Sequence, residues 1–381
     1  MKILIATDKF KDSLSARAVC ENLRQGILRT FPTAKIEILP LADGGEGTLE
    51  TLQSALGGQF INCEVNDPLS RKIQANYLWI EGKQTAIIEM ARASGIELLR
   101  SNERNCLNTT TFGTGELIKN ALEKGAEEII LTVGGSATND AGIGMASALG
   151  YEFLDENGVI LEPIGKNLSK IFHLNFTNKH PKLTHTKFIV ATDVSNPFYG
   201  MNGAAHVFSP QKGADKSAVE FLDAGLQNIS QLIKREFNID LQTIAGSGAG
   251  GGIGGGAICF LNAEIKSAGE WVLAINQVEN KLKNADILIT GEGKIDRQTW
   301  QGKLIFQLVK QAKMAKIPVI LVCGTLQDVE SILVQEGILF ASSILNEPMN
   351  LEDALKNASE LVENHGALLG KLLKGIELKK R

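Results

Sequence analysis

Several chemistries are excluded by what the chain lacks. The five cysteines (Cys20, Cys63, Cys106, Cys259 and Cys323) are scattered, mostly among apolar neighbours, and none forms a C-x-x-C pair. Neither a disulfide framework nor a cysteine-ligated zinc site is indicated. The five histidines lack metal-ligand spacing. Aromatic residues make up only 6%, and no cluster of Lys and Arg is interleaved with them, which argues against a nucleic-acid partner. The balance of 39 basic and 43 acidic residues, a net charge of -4, carries no basic bias. A small anionic substrate stays compatible with that balance, because local charge need not follow net charge. No 18-residue apolar run exists to span a membrane, and the apolar start of "MKILIATDKFKD" is far too short for a signal peptide. There is no G-x-x-x-x-G-K-[ST] phosphate loop, no protein-kinase signature set and no G-x-S-x-G elbow. A cytoplasmic enzyme or binding protein is the class these absences leave.

What is present is ample core material, with 44% hydrophobic residues over 381 positions, enough for two domains. "KILIATD" reads as a buried parallel strand ending in a polar turn. Ser15 can cap the next helix, whose Val19, Leu23, Ile27 and Phe31 recur at four-residue spacing. "KIEILPLADGGEG" and "TLETLQSALGG" repeat the strand–helix order, and "ADILITGEG", "GKLIFQLVKQAKMAK", "IPVILVCGT" and "LFASSI" resume it near the C-terminus. A last helix is expected from Asn350, with Leu351, Leu355, Ala358, Val362, His365, Leu369 and Leu372 on one buried face. His365 is read there as a packed edge residue. The middle differs: "QFINCEVNDPLSRKIQANYLWI" and "QTAIIEM" alternate and carry turn signals, which predicts antiparallel hairpins. The expected architecture is two-domain α/β. Residues 1–60 and 281–381 form a Rossmann-like parallel-sheet domain built from both chain ends. Residues 61–280 form an inserted mixed α/β domain, with a ligand cleft between the two.

Open α/β sheets bind ligands at the carboxyl ends of their strands, and five loops lie there. "ATDKFKDSLS" offers Asp8, Lys9, Lys11 and Ser13, a set suited to an anion. "ADGGEGT" places Asp43 and Glu46 three apart among glycines, a spacing that can hold Mg²⁺ or simply cap a helix. "TVGGSATNDAGIG" is the most informative: Gly134, Gly135, Ser136, Thr138, Asn139 and Asp140 crowd the expected start of a helix, where backbone N–H groups attract anions. "ATDVSNPFYGMNGAAHVFSPQKGA" supplies Asp193 and Lys212, and "TGEGKIDRQTWQGK" supplies Glu292. The run "GSGAGGGIGGGA" contains Gly251 and two automatic matches to G-x-G-x-x-G. No good buried strand precedes it, so a dinucleotide fingerprint is disfavoured. Close approach of its backbone to a nucleotide, or to other backbone, fits better.

Taken in order, "DKFKDSLSA", "LADGGEGT", "GGSATNDAG", "TDVSNP…GAA…PQKGA", "GSGAGGGIGGGA" and "TGEGKIDRQT" resemble the signature set of the type I glycerate kinases over nearly the whole chain. Three positions depart: Lys9 stands where many members have Ser, and Asp12 and Ala141 where many have Gly. The resemblance implies phosphorylation of D-glycerate by ATP with Mg²⁺, on an α/β fold unrelated to P-loop kinases. The favoured product is 2-phosphoglycerate, with 3-phosphoglycerate as the alternative. On that footing Asp193 is the first choice of catalytic base and Asp8 the second, while Lys11 neutralises the transferred group. Asp43, Glu46 and Glu292 are the metal candidates. Ser13, Gly134, Gly135, Ser136, Thr138, Asn139, Asp140, Lys212 and Gly251 are the substrate or phosphate set. A homodimer is left open. The rival readings are a nicotinamide-dependent oxidoreductase using the glycine run, and a non-catalytic ligand sensor.

Overall fold

In the computed structural model the run Ile3–Ala6 is buried throughout, each residue at most 1% exposed. An unbroken apolar strand can be satisfied only where both faces of the sheet are covered. This strand is β1 (Lys2–Thr7). The structure describes residues 1–42, 47–297, 299–300, 303–327, 333–334 and 336–380. They group into two compact units, Met1–Asp43 with Ala268–Arg381, and Gly44–Ser267. After β1 the helix Ala16–Thr30 begins on Ser15, whose side chain accepts the Ala18 N–H, and buries Val19, Leu23 and Ile27. Each such side chain contributes about 1.5–3 kcal/mol of apolar burial. Strand β2 (Lys35–Ile38) then pairs parallel with β1.

The Gly44–Ser267 unit opens with the helix Thr48–Leu56, which lies against the sheet that follows. Strands β3 (Gln59–Asn66), β4 (Lys72–Ile80) and β5 (Thr85–Glu89) form the antiparallel run expected from their alternation. After the helix Phe112–Lys124, β6 (Glu128–Thr132) joins β5 in parallel. Strands β7 (Glu152–Leu154) and β8 (His173–Asn175) make a small separate pair. Strands β9 (Lys187–Ala191) and β10 (Glu264–Lys266) complete the main sheet in the order β10-β9-β6-β5-β4-β3. Its four parallel strands end in register: Glu89 beside Thr132, Thr132 beside Ala191, and Ala191 beside Lys266. The loops leaving β5, β6 and β9 therefore start from one edge.

The other unit resumes with β11 (Ile287–Gly291), β12 (Lys294–Ile295), β13 (Val319–Cys323), β14 (Thr325–Leu326) and β15 (Phe340–Ser343). Its five-stranded sheet is wholly parallel, in the order β15-β13-β11-β1-β2, while β12 pairs β14. The expected single terminal helix is in fact two, Leu351–Lys356 and Ala358–Lys380. Leu351 and Leu372, placed on its buried face by spacing, are 74% and 46% exposed. Ala358, Val362 and Leu369 of that face are buried as expected, and glycines set how closely the helix approaches its neighbour. A Cβ on Gly26 would stand 1.9 Å from the Glu363 carbonyl oxygen, and one on Gly370 would stand 2.7 Å from that of Ile27. The first and last long helices thus meet backbone to backbone. Gly26→Ala should force them apart and cost about 1–3 kcal/mol, read as a lowered midpoint in urea with an unchanged slope.

Candidate active site

The loop after β6 and the turn carrying Lys212 are joined by a buried cation. Lys212 is 3% exposed, and its Nζ donates to Ser136 Oγ at 2.6 Å and to the Thr138 carbonyl at 2.7 Å. The turn Pro210–Lys212 is fixed by its own backbone, since Lys212 N–H reaches the Ser209 carbonyl and its carbonyl accepts Cys106 N–H. Burial pushes the ammonium down to about 8, opposed by the Cys106 thiol and the Asp140 carboxyl. Asn139 Oδ1 accepts from Ser209 Oγ. Asn139 Nδ2 and Thr138 Oγ1 are buried with no hydrogen-bond partner among the described residues. Such atoms cost about 1–3 kcal/mol each unless something else satisfies them. Gly134 and Gly135 stay exposed beside them. The Lys212 ammonium, brought to a loop with two hydroxyls, an amide and open backbone, makes a donor-rich site suited to an anion.

Asp140 does not face outward with this set. It is fully buried and accepts from Thr111 N–H and Oγ1 and from the N–H groups of Gly142 and Gly144. Burial raises its carboxyl above the usual range, and these donors oppose the rise. The helix that follows is short, Ile143–Ala148, and the anion at its start is the protein's own. Asp140 thereby ties the loop to the segment before the helix Phe112–Lys124.

Asp193 follows β9 by two residues, half-buried, with Ser267 Oγ donating to its Oδ1 at 2.7 Å from just beyond β10. In the other unit two predicted loops come together. Asp8 N–H donates to the Gly291 carbonyl, and a Cβ on Gly293 would lie 3.2 Å from the Lys11 nitrogen. Asp8 is 7% exposed and accepts its neighbour's Lys9 N–H, whereas Lys11 is exposed and Ser13 donates to the Phe10 carbonyl. Glu292 is half-buried in the loop leaving β11. Asp43 and Glu46 lie outside the described residues. Among the described residues no three His, Cys, Asp or Glu side chains gather as a metal site.

The glycine run has a defined neighbour. A Cβ on Gly251 would stand 2.0 Å from the Thr138 carbonyl oxygen, and the Gly251 carbonyl accepts Ala141 N–H. Residues 246–252 are turns leading into the helix Ile253–Leu261. They back the Ser136–Asp140 loop from behind, with backbone as the close partner.

The sequence profile of the glycerate kinase family matches residues 3–374. The chain belongs to the glycerate kinase family. It is 42% identical to a Bacillus cereus glycerate kinase over 95% of both chains. It is 40% identical to the Escherichia coli glycerate 2-kinase over 94% of each. The crystal structure of a Salmonella typhimurium LT2 protein, 40% identical, superposes with a TM-score of 0.85 over 99% of both chains. As a member of this family the chain is a kinase. The oxidoreductase reading calls for an acidic residue closing a strand about 20 residues past the glycine run, and Glu270, which has that spacing, sits inside the helix Ala268–Ile275. Among the described residues no helix is long and apolar enough to cross a membrane.

Two of the three departures from the glycerate kinase pattern now have a structural setting. Asp12 and Ala141 both adopt left-handed backbone, with φ of 62° and 56°, where glycine carries the least strain. Sequence reasoning passed over Glu89 and Arg92. Glu89 ends β5, is 2% exposed, pairs with Arg92 Nε at 2.8 Å and accepts Leu49 N–H near the start of the helix Thr48–Leu56. Burial raises its carboxyl and Arg92 opposes that rise. The signal was available, because a carboxylate closing the apolar run "TAIIE" must find a partner or neutralise. Ser267 and Thr111 gave no such sign, their partners lying 74 and 29 residues away.

Proposed function

We propose that this kinase transfers the γ-phosphoryl group of ATP to D-glycerate, with the 2-hydroxyl favoured over the 3-hydroxyl as acceptor. The observation that carries the reading is the buried Lys212 tied to Ser136 beside the exposed Gly134–Gly135 backbone. Phosphoryl transfer depends on positioning and charge neutralisation more than on covalent chemistry. A desolvated cation with neighbouring hydroxyl and amide donors supplies both for a carboxylate or a phosphate. In this reading Thr138 Oγ1 and Asn139 Nδ2 acquire partners when the anionic oxygens arrive. Asp193, oriented by Ser267, accepts the proton of the attacking hydroxyl, with Asp8 as the second choice. The exposed Lys11 offsets charge on the transferred group. Asp43, Glu46 and Glu292 are the candidate Mg²⁺ ligands by residue type, since carboxylate oxygens are the hard donors that ion takes. When bound there, the ion would neutralise phosphate charge. A cytoplasmic location goes with this reading, and a homodimer is compatible with it.

The test is a coupled assay with ATP, Mg²⁺ and D-glycerate, to which enolase is added without phosphoglycerate mutase. Immediate phosphoenolpyruvate is expected and identifies 2-phosphoglycerate. Phosphoenolpyruvate that waits for the mutase identifies the 3-isomer. Absence of ADP formation overturns the substrate assignment.

A further inference from the structure

The bond from Lys212 to Ser136 fixes more than a position. An ammonium has three donors and no acceptor, so in the Lys212–Ser136 contact the serine oxygen must accept. The serine hydrogen is then left for another acceptor, and no bond from Ser136 Oγ to one is present among the described residues. Ser136 is 8% exposed and follows the exposed Gly134–Gly135 turn, so it is the member of the buried cluster nearest to solvent. A neutral amine would have a lone pair and could accept that same hydrogen, reversing the bond across an unchanged 2.6 Å separation.

We propose that Lys212 is a positioning residue that sets the polarity of Ser136: as an ammonium it holds the serine hydroxyl as a donor to an anionic oxygen of the substrate, and on losing its proton to solvent it turns that hydroxyl inward. The inference rests on the glycerate kinase reading of the loop, which supplies the anion. The groups facing Lys212 decide whether the switch is reachable. From the segment before the helix Phe112–Lys124 comes Cys106, whose thiol burial pushes up. From the loop after β6 comes Asp140, whose carboxyl favours the cation. Arg104 packs its backbone on Gly213, one residue beyond the lysine. Against these, burial prevails and brings the ammonium down to about 8, within the range of an ordinary kinase assay. The phosphates and carboxylate of the substrates are already fully ionised above about pH 7, so a step above that pH is not theirs.

The experiment is a set of KM and kcat profiles from about pH 6.5 to 9.5 for the wild type, Ser136→Ala and Lys212→Met, with melting curves at each pH. A charge-assisted hydrogen bond lost on deprotonation corresponds to roughly tenfold or more in affinity. Wild-type KM for one substrate should therefore rise roughly tenfold across the alkaline limb, with kcat changed far less. A rise confined to D-glycerate places the anion as its carboxylate, and a rise confined to ATP places it as a phosphate. In Ser136→Ala the KM should already be high at neutral pH and its alkaline step should vanish, while melting stays close to wild type. Lys212→Met should lose the step as well. A wild-type KM that is flat through the alkaline range, in an active enzyme, overturns the inference and leaves the kinase reading intact. So does an alkaline step that survives undiminished in Ser136→Ala. Absence of turnover at every pH overturns the glycerate kinase reading, and the inference falls with it.

Discussion

Gly251→Val yields protein that fails to accumulate in folded form, the expected result for a side chain with nowhere to go. At φ of 75° a β-branched residue is strained before any neighbour is considered. Left-handed backbone costs about 1–2 kcal/mol for an L-residue. The added Cβ would also stand 2.0 Å from the Thr138 carbonyl oxygen and 2.8 Å from the Asn139 Cα, both backbone atoms that cannot swing aside. Overpacking of this kind adds about 1–3 kcal/mol or more. The sum, about 2–5 kcal/mol, is a large part of the roughly 5–15 kcal/mol that holds an ordinary domain together. Urea unfolding of whatever soluble protein is recovered should show a strongly reduced midpoint. A variant of near wild-type stability with only a raised KM for ATP would mean that the glycine is kept for the nucleotide and not for Thr138.

The second large effect is on turnover. Asp193→Asn keeps the size of the side chain and an oxygen for the Ser267 hydroxyl, but it removes the basic carboxylate. If Asp193 takes the substrate proton, kcat should fall about 10²–10⁴-fold. KM for glycerate and the melting temperature should change little. Ser267→Ala should show a smaller loss in the same direction, because it removes one hydrogen bond to the carboxylate and leaves the carboxylate in place. Asp8→Asn is the control. Its carboxyl accepts the Lys9 N–H within its own loop, so the rival assignment predicts that this variant, and not Asp193→Asn, carries the loss.

Much of this arrangement could be read from the residues. "KILIATD" had to be a buried strand, and Val19, Leu23, Ile27 and Phe31 are all at most 1% exposed, as their spacing requires. The loops named as candidates do leave the carboxyl ends of β1, β6, β9 and β11, because apolar runs closed by polar turns mark those ends well. Direction within a loop was less legible. Ser136 and Asp140 are four residues apart in one polar stretch, yet Ser136 meets Lys212 while Asp140 turns inward to Thr111. That choice depends on partners far along the chain, and spacing does not encode them. The terminal helix shows the same limit from the apolar side. The same count that placed Ala358, Val362 and Leu369 correctly also placed Leu351 and Leu372 in the core, and it missed Gly366 and Gly370, whose signal is a missing side chain.

The place of β1 in its sheet has a consequence for how the protein is made. Ile3 pairs beside Ile287, a partner 284 positions later, and the first long helix packs on the last one. On a ribosome moving at about 5–20 residues per second, β1 would wait roughly 15–60 s for β11 to be synthesised. All six strands of the other main sheet have been translated by Lys266. The apolar segment "KILIA" thus has β2 to pair with early, while its other edge stays open until β11 is made. The pairing of β1 with β11 is the late event on which assembly of that sheet depends.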